Sequence, residues 1–426
     1  MSGRIVIRGG CVLTLGDRTA NHPQADVLIE DGRITDIGHR IRARDAEVVD
    51  ATDGIVMPGF VDAHRHSWTT LFRNSGDHPT PEMVGPHHQP EDLYAATLVG
   101  LLASAQAGVT SVVDWADVSP AADHIAAIAE AHADSGLRTV LVQAAPSWDP
   151  DVDPLATPEP RIGRTTVKAF GSADPDTGRL ENLVTTWDVA RRAGLRVHTH
   201  LGRRPNQPGL GVELARRHAL GTDVTLVHCS LLDDADLDAI AAARAAVVIT
   251  PSTEMAGGLG SPPMQRLLDR GIRPGLGVDH TRYGPGDVFA QMRAAISIQH
   301  GHHFDLKLAG KGGLPNLLTT REVIRYATVD GARATGLTET GSIEVGRRAD
   351  VIVLRTDRPN IHPVNDPIGA VVWGMDSSNV DWVIVDGRVV VRAGELDADV
   401  TAVRKGAEDA ARRVSHAAGL VAGGVG

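Results

Sequence analysis

Cysteine is almost missing from this chain of 426 residues: Cys11 and Cys229 are the only two. Two thiols cannot build a disulfide framework, which agrees with a reducing compartment. Long apolar runs are missing as well. No stretch reaches the ~18 residues of a membrane span, and Met1-Ser-Gly-Arg-Ile5 lacks a signal-peptide core, so the expected location is cytoplasmic. Runs of Lys/Arg are missing too, and the net charge of −11 argues against nucleic acid, whose phosphates want a basic face. What remains is an ordinary enzyme-like composition, 42% hydrophobic with 46 Gly and 24 Pro. Since a single α/β barrel runs to ~250 residues, the length suits one large domain and one small.

The two ends of the chain read as short strands. Arg4–Arg8, Cys11–Leu15, Ala25–Ile29 and Arg33–Ile37 occupy the first, with Asp31-Gly32 as a hairpin signal. Ala349–Leu354 and Trp382–Val391, turning at Asp386-Gly387, repeat the style at the other end. Neither set can bury a face alone, so residues 1–57 and 345–398 are expected to pair into one small β-sandwich. Between them, over 58–344, apolar strands alternate with amphipathic helices such as Glu91–Ala107. Strands are expected before His64, then at Thr110–Asp114, Arg138–Gln143, Thr165–Phe170, Leu195–His200, Asp223–His228, Ala245–Thr250 and Ile272–Asp279. That rhythm predicts an α/β fold, a (β/α)8 TIM barrel. An open doubly wound sheet is the alternative, but no Gly-rich phosphate loop follows the first strand. Residues 399–426 read as a C-terminal helix and a frayed tail, Val421–Gly426.

In such barrels the chemistry sits at the C-terminal ends of the strands. That rule collects His64 and His66, spaced i, i+2 on one face of the first strand, with His200, His228 and Asp279. Neutral imidazole is the commonest metal ligand, and three or four protein ligands with room for water is the catalytic pattern. Cys229, beside His228, should turn away into the core. His198 should lie deeper in the barrel or behind the ligands, and His280 is placed to enter the site from the last strand. The His300-Gly-His-His303 tract lies outside any strand end and reads as loop or surface.

Pro58-Gly-Phe-Val-Asp-Ala-His64-Arg-His66, Val197-His-Thr-His200, Leu226-Val-His228 and Gly277-Val-Asp279 resemble the metal motifs of the amidohydrolase superfamily. Ala327–Gly336 also resembles it, and the likeness spans roughly residues 4 to 395, nearest the branch of cytosine deaminases, s-triazine hydrolases and imidazolonepropionases. The resemblance implies one Zn²⁺ or Fe²⁺ per chain, held by His64, His66, His200 and Asp279. It also implies that Asp279 acts as general acid–base and that His228 hydrogen-bonds the polarised substrate. The reaction it implies is hydrolysis of a non-peptide C–N bond in a small cyclic or heterocyclic molecule, by deamination or ring opening. Partners beyond that small molecule are expected to be further copies of the chain, with no membrane and no nucleic acid.

Two residues depart from the pattern. Deaminases and triazine hydrolases of this branch carry Glu three residues after the strand-5 histidine, whereas here Arg203 stands there and cannot shuttle protons. Ring opening of a cyclic amide gains weight accordingly, unless another carboxylate such as Asp114 substitutes, and Arg203 could instead grip a substrate carboxylate. Lys168 falls where hydantoinase-like members have a carboxylated lysine bridging two metals, so a binuclear hydrolase is the competing enzyme reading. The other interpretation has Lys168 facing the helical layer and snorkelling outward. A catalytically inactive barrel serving as a binding scaffold is the reading of a different class. The long loop after His66 is expected to form a lid, with Trp68 and Arg73 as substrate contacts.

Overall fold

The computed structural model describes residues 3–420 except 18, 77, 119–120, 147–148, 150–154, 156–161, 176–179 and 205–207, so the expected tail 421–426 lies outside the described residues. Eight parallel strands follow one another around a barrel: Phe60–Arg65, Val109–Ala116, Arg138–Ala144, Thr166–Ser172, Val197–Leu201, Val224–His228, Ala246–Ile249 and Gly275–Leu276. Each coincides with an expected strand, because a strand buried on both faces is written as a short continuous apolar run. The ring closes between first and last strands, where Asp279 N donates to His64 O at 2.8 Å and His66 N to Asp279 O at 3.1 Å. Gly277 permits that approach: a Cβ there would stand 2.8 Å from both His64 N and His64 O. Closure itself therefore presses three of the chemically interesting residues together.

Both chain ends meet in one nine-stranded sheet. Its centre is the strand Gly54–Pro58, which runs parallel to Ile5–Val12 on one side and antiparallel to Val351–Arg355 on the other. Ile7, Val27, Ile29, Val56, Val351 and Ile384 fill its core. The hairpins turn where Asp-Gly predicted: Asp31 and Gly32, and Asp386 and Gly387, all have φ between 50° and 76°, the conformation of type I′ turns. The two tips touch, a Cβ on Gly32 falling 2.7 Å from Asp386 O. A buried ion pair fastens this sheet to the barrel, Arg138 Nε and Nη2 meeting Asp350 Oδ2 and Oδ1 at 2.6 and 3.1 Å.

Helices cover the barrel. Pro90–Gln106 follows the first strand, near the expected Glu91–Ala107, and Ala122–Ser135 follows the second. The helix Val288–Leu308 carries the histidine tract, where His300 and His303 each pair with a backbone carbonyl, Leu318 O and Pro315 O, at 2.8 Å. The tract, expected in a loop or at the surface, thus lies on a helix, and His300 and His303 fasten the segment that follows it. No helix among the described residues is long and apolar enough to cross a membrane.

Candidate active site

The first strand does not hold a simple alternation. Its pairing with the second slips between Asp62↔Val112 and Arg65↔Asp114, a bulge of the kind that re-aims side chains beside active sites. Below it Val61 and Ala63 pack among barrel-interior apolar groups. Above it His64 and His66 face the same interior, while Arg65 is drawn aside by the buried Asp62, Nε to Oδ2 2.6 Å. Asp62 Oδ1 also accepts from Val278 N, which staples the first strand to the last.

His64, His66 and His200 bring one ring nitrogen each within a common 4.8 Å. His64 Nε2 and His200 Nε2 are 3.2 Å apart, and Asp279 Oδ1 stands 3.7 Å from His64 Nε2 and 3.5 Å from His66 Nε2. Four donors tetrahedrally disposed at about 2.05 Å from zinc lie about 3.3 Å from one another, so these separations suit one ion. Burial, then the neighbouring His66, holds the His64 imidazole well below its ordinary pKa, and burial with Arg203 does the same for His200. Neutral rings are what a metal needs. Burial works against the Asp279 carboxylate, yet His280 and His66 outweigh it and keep it ionised. His280 joins the group: it lines the cavity, stacks on His66 at 4.3 Å and lies 3.5 Å from Asp279 Oδ1.

His228 stacks on His200 at 5.3 Å. Since Val227 packs with the interior residues Ala63 and Val248, plain alternation would send the next side chain outward. Left-handed φ values of 78° at His228 and 59° at Cys229 reverse that, turning the imidazole to the cavity and the thiol into the core. Strained backbone of this sort collects at functional sites. Behind the ring, Glu254 Oε1 lies 3.1 Å from His228 Nδ1 and accepts from Thr250 N at 2.9 Å. Glu254 is fully buried, and nothing in the motif pattern announces it. Asp117 is the second residue that the sequence did not disclose, its Oδ1 standing 3.1 Å from His66 Nδ1 and 2.8 Å from Trp68 Nε1.

His66, Asp117, His200, His228, Asp279 and His280 line a cavity of about 570 Å³, together with Trp115, Arg203, Arg204 and Arg282. Trp68 is part of its wall. Arg73 is not: past the short helix Ser67–Phe72 it lines a separate cavity with Arg65 and Thr281, so its expected contact with substrate is corrected. Arg203 reaches the site but is tied to Asp174, Nε to Oδ2 2.7 Å. Asp114 is no substitute carboxylate. It is buried against Ser67 N and His132 Nε2, at 2.8 and 2.7 Å, and is not part of the cavity wall. Nor does Lys168 bridge metals. Its strand neighbour on the same face, Phe170, packs with Leu180 and Trp187 of the covering helix, so Lys168 faces the helical layer and the binuclear reading loses its bridge. His198 lies fully buried deeper in the barrel.

The model of the amidohydrolase family matches residues 55–390. A 5′-deoxyadenosine deaminase of Methanothermobacter thermautotrophicus is 30% identical over 88% of this chain and 91% of its own. A 5-methylthioadenosine/S-adenosylhomocysteine deaminase of Pyrococcus furiosus is 27% identical over 92% and 96%. Among solved structures, a triazine hydrolase variant superposes with a TM-score of 0.82 at 21% identity, covering 96% of this chain and 99% of its own. An adenosine deaminase from Xanthomonas campestris with bound zinc gives 0.80 at 21%, covering 97% and 98%. The chain belongs to the amidohydrolase family, as a hydrolase of carbon–nitrogen bonds other than peptide bonds.

Proposed function

We propose that the protein removes an exocyclic amino group from a heterocyclic substrate by hydrolysis, with 5′-modified adenosines first in line. One ion, Zn²⁺ or Fe²⁺, is assigned to His64, His66, His200 and Asp279. The observation that carries this is the convergence of those four donors: the three histidine nitrogens lie within 4.8 Å of one another, and His64–His200, His66–Asp279 and His64–Asp279 are 3.2, 3.5 and 3.7 Å apart, in a chain whose relatives of matching length are named deaminases. Bound there, the ion supplies Lewis acidity that makes water a nucleophile at neutral pH. Asp279 takes the proton released at the attacking oxygen and returns it to the departing nitrogen. Glu254 fixes the His228 ring through Nδ1, which leaves Nε2 to meet the substrate where charge develops. Trp68 and Trp115 give the cavity its flat apolar walls, suited to a planar ring.

Ring opening of a cyclic amide is the second reading, favoured by Arg203. Its ion pair with Asp174 occupies the place where a ring-protonating glutamate would stand. Metal-loaded protein assayed against adenosines, cytosine, guanine and cyclic amides separates the two. Ammonia release is the expected outcome, and ring-opened product without ammonia, or no turnover at full metal content, overturns it.

A further inference from the structure

The cavity contains a cation with nothing to hold. Arg282, three residues beyond Asp279, is 8% exposed, and its Nε and Nη2 are both shut from solvent without an acceptor among the described residues. Every other charge of the cavity wall whose contacts are described has its counterpart. Arg203 has Asp174, Asp117 has His66 and Trp68, and Asp279 has the histidines. Arg204 is largely exposed and lies 3.7 Å from Asp174. Burying a guanidinium without its hydrogen bonds is strongly unfavourable, and the backbone around it is pinned rather than loose: Asn74 N and Gly76 N donate to Thr281 O and Arg282 O. Tyr283 adds only an aromatic face, its ring centroid 5.7 Å from the guanidinium carbon.

We infer that Arg282 recognises a carboxylate carried by the substrate. This rests on the deaminase reading of the same cavity and names the class of molecule it takes: a heterocycle with an anionic arm. Arginine's planar fork matches a carboxylate with two parallel bonds. A dianionic phosphate fits less well, because one guanidinium without a partner faces it while Asp117, Asp174 and Asp279 share the same wall. The anion recognised is thus assigned to Arg282, and Arg203, already engaged by Asp174, keeps a supporting place beside His200.

The test compares carboxylates with their neutral carboxamides on three scaffolds, adenosine 5′-carboxylate, pyrimidine carboxylates and hydantoin carboxylates, by calorimetric titration of the metal-loaded protein. Charge-assisted hydrogen bonds of this kind correspond to a preference of about 10- to 100-fold. The wild type is expected to show it on at least one scaffold. Arg282→Gln is expected to abolish it while leaving carboxamide affinity and metal content unchanged. Absence of preference on every scaffold overturns the assignment, as does a preference that survives in Arg282→Gln. Should that variant not fold, Arg282→Lys keeps the cation and loses the fork, and an undiminished preference there also overturns it. Ammonia and ring-opened product are scored on the same pairs. Carboxylate preference with neither product counts against the proposed reaction and leaves the Arg282 assignment standing, whereas turnover without preference does the reverse.

Discussion

Asp117 Oδ1 serves His66 and Trp68 at once, 3.1 Å from the ring Nδ1 of one and 2.8 Å from the indole Nε1 of the other. A ligating histidine almost always gives its second nitrogen to such an acceptor, which fixes tautomer and ring orientation and raises basicity. Here the same oxygen also holds the tryptophan that walls the cavity, so metal affinity and substrate fit share one support. Asp117→Asn is expected to weaken metal binding about 10- to 100-fold, read by competition with a chromogenic chelator. Unchanged affinity would remove Asp117 from the supporting set.

His200 and His228 stack, yet their partners differ. His200 Nε2 points at His64 Nε2, whereas His228 Nδ1 is backed by Glu254. Replacing His200 by Ala should therefore release the ion. Replacing His228 by Ala, or Glu254 by Gln, should retain it and lower kcat, by about 10²- to 10³-fold for the histidine if its contact is made mainly in the transition state. Metal loss from all three variants would contradict this division.

Much of the architecture was legible because period and burial leave a mark on composition. Strand-end positions identified His64, His66, His200, His228 and Asp279, all of which the barrel brings to one mouth. The misses have physical causes. Asp114 looked like the end of the second strand, but that strand runs on to Ala116, and the carboxylate that reaches the mouth is Asp117. Arg73 was read as a lid contact, but the short helix before it carries the chain to another cavity. Glu254 belongs to a helix after the seventh strand, and only the approach of that helix to His228 gives it meaning. No spacing rule encodes such a contact.

Lys168 supplies a clean test of metal count. Its face of the fourth strand, shared with Phe170, meets the covering helix rather than the histidines. Lys168→Ala is expected to keep the wild-type metal content, about one ion per chain by elemental analysis, and added bicarbonate is expected to have no effect on activity. Loss of a metal equivalent that bicarbonate cannot restore would revive the two-ion site.

The joint between barrel and sheet predicts a stability defect away from the chemistry. Asp350 accepts both bonds of the Arg138 fork and also a bond from Asp386 N at 2.9 Å, with its side chain almost fully buried. Asp350→Ala leaves the arginine only its longer 3.3 Å bond to Asp386, and since removing one partner of a buried pair costs about 3–5 kcal/mol when nothing replaces it, a loss of about 2–4 kcal/mol is expected. Urea unfolding should show that loss, and a change below about 1 kcal/mol would mean that Asp386 or water replaces the carboxylate.

His88 predicts how the fold responds to acid. Its ring sits edge-on to Trp68, centroids 5.6 Å apart, with Nδ1 donating to Val84 O at 3.0 Å and Nε2 buried without a hydrogen-bond partner among the described residues. Burial lowers its pKa from 6.5 to about 4. Above pH 6.5 the ring is neutral in folded and unfolded chain alike, so it contributes no pH dependence. As pH falls from 6.5 towards 4 the unfolded chain takes up a proton that the folded one refuses, and stability declines with pH. At about 1.36 kcal/mol per unit, the loss from this residue between pH 7.5 and 5 is about 2 kcal/mol. His88→Gln removes the titrating group, so the variant should lose about 2 kcal/mol less than the wild type over that interval in urea unfolding. Taking the difference between the two proteins cancels acid-induced metal release, which both undergo. Equal losses in both would show that His88 accepts its proton without opening the fold.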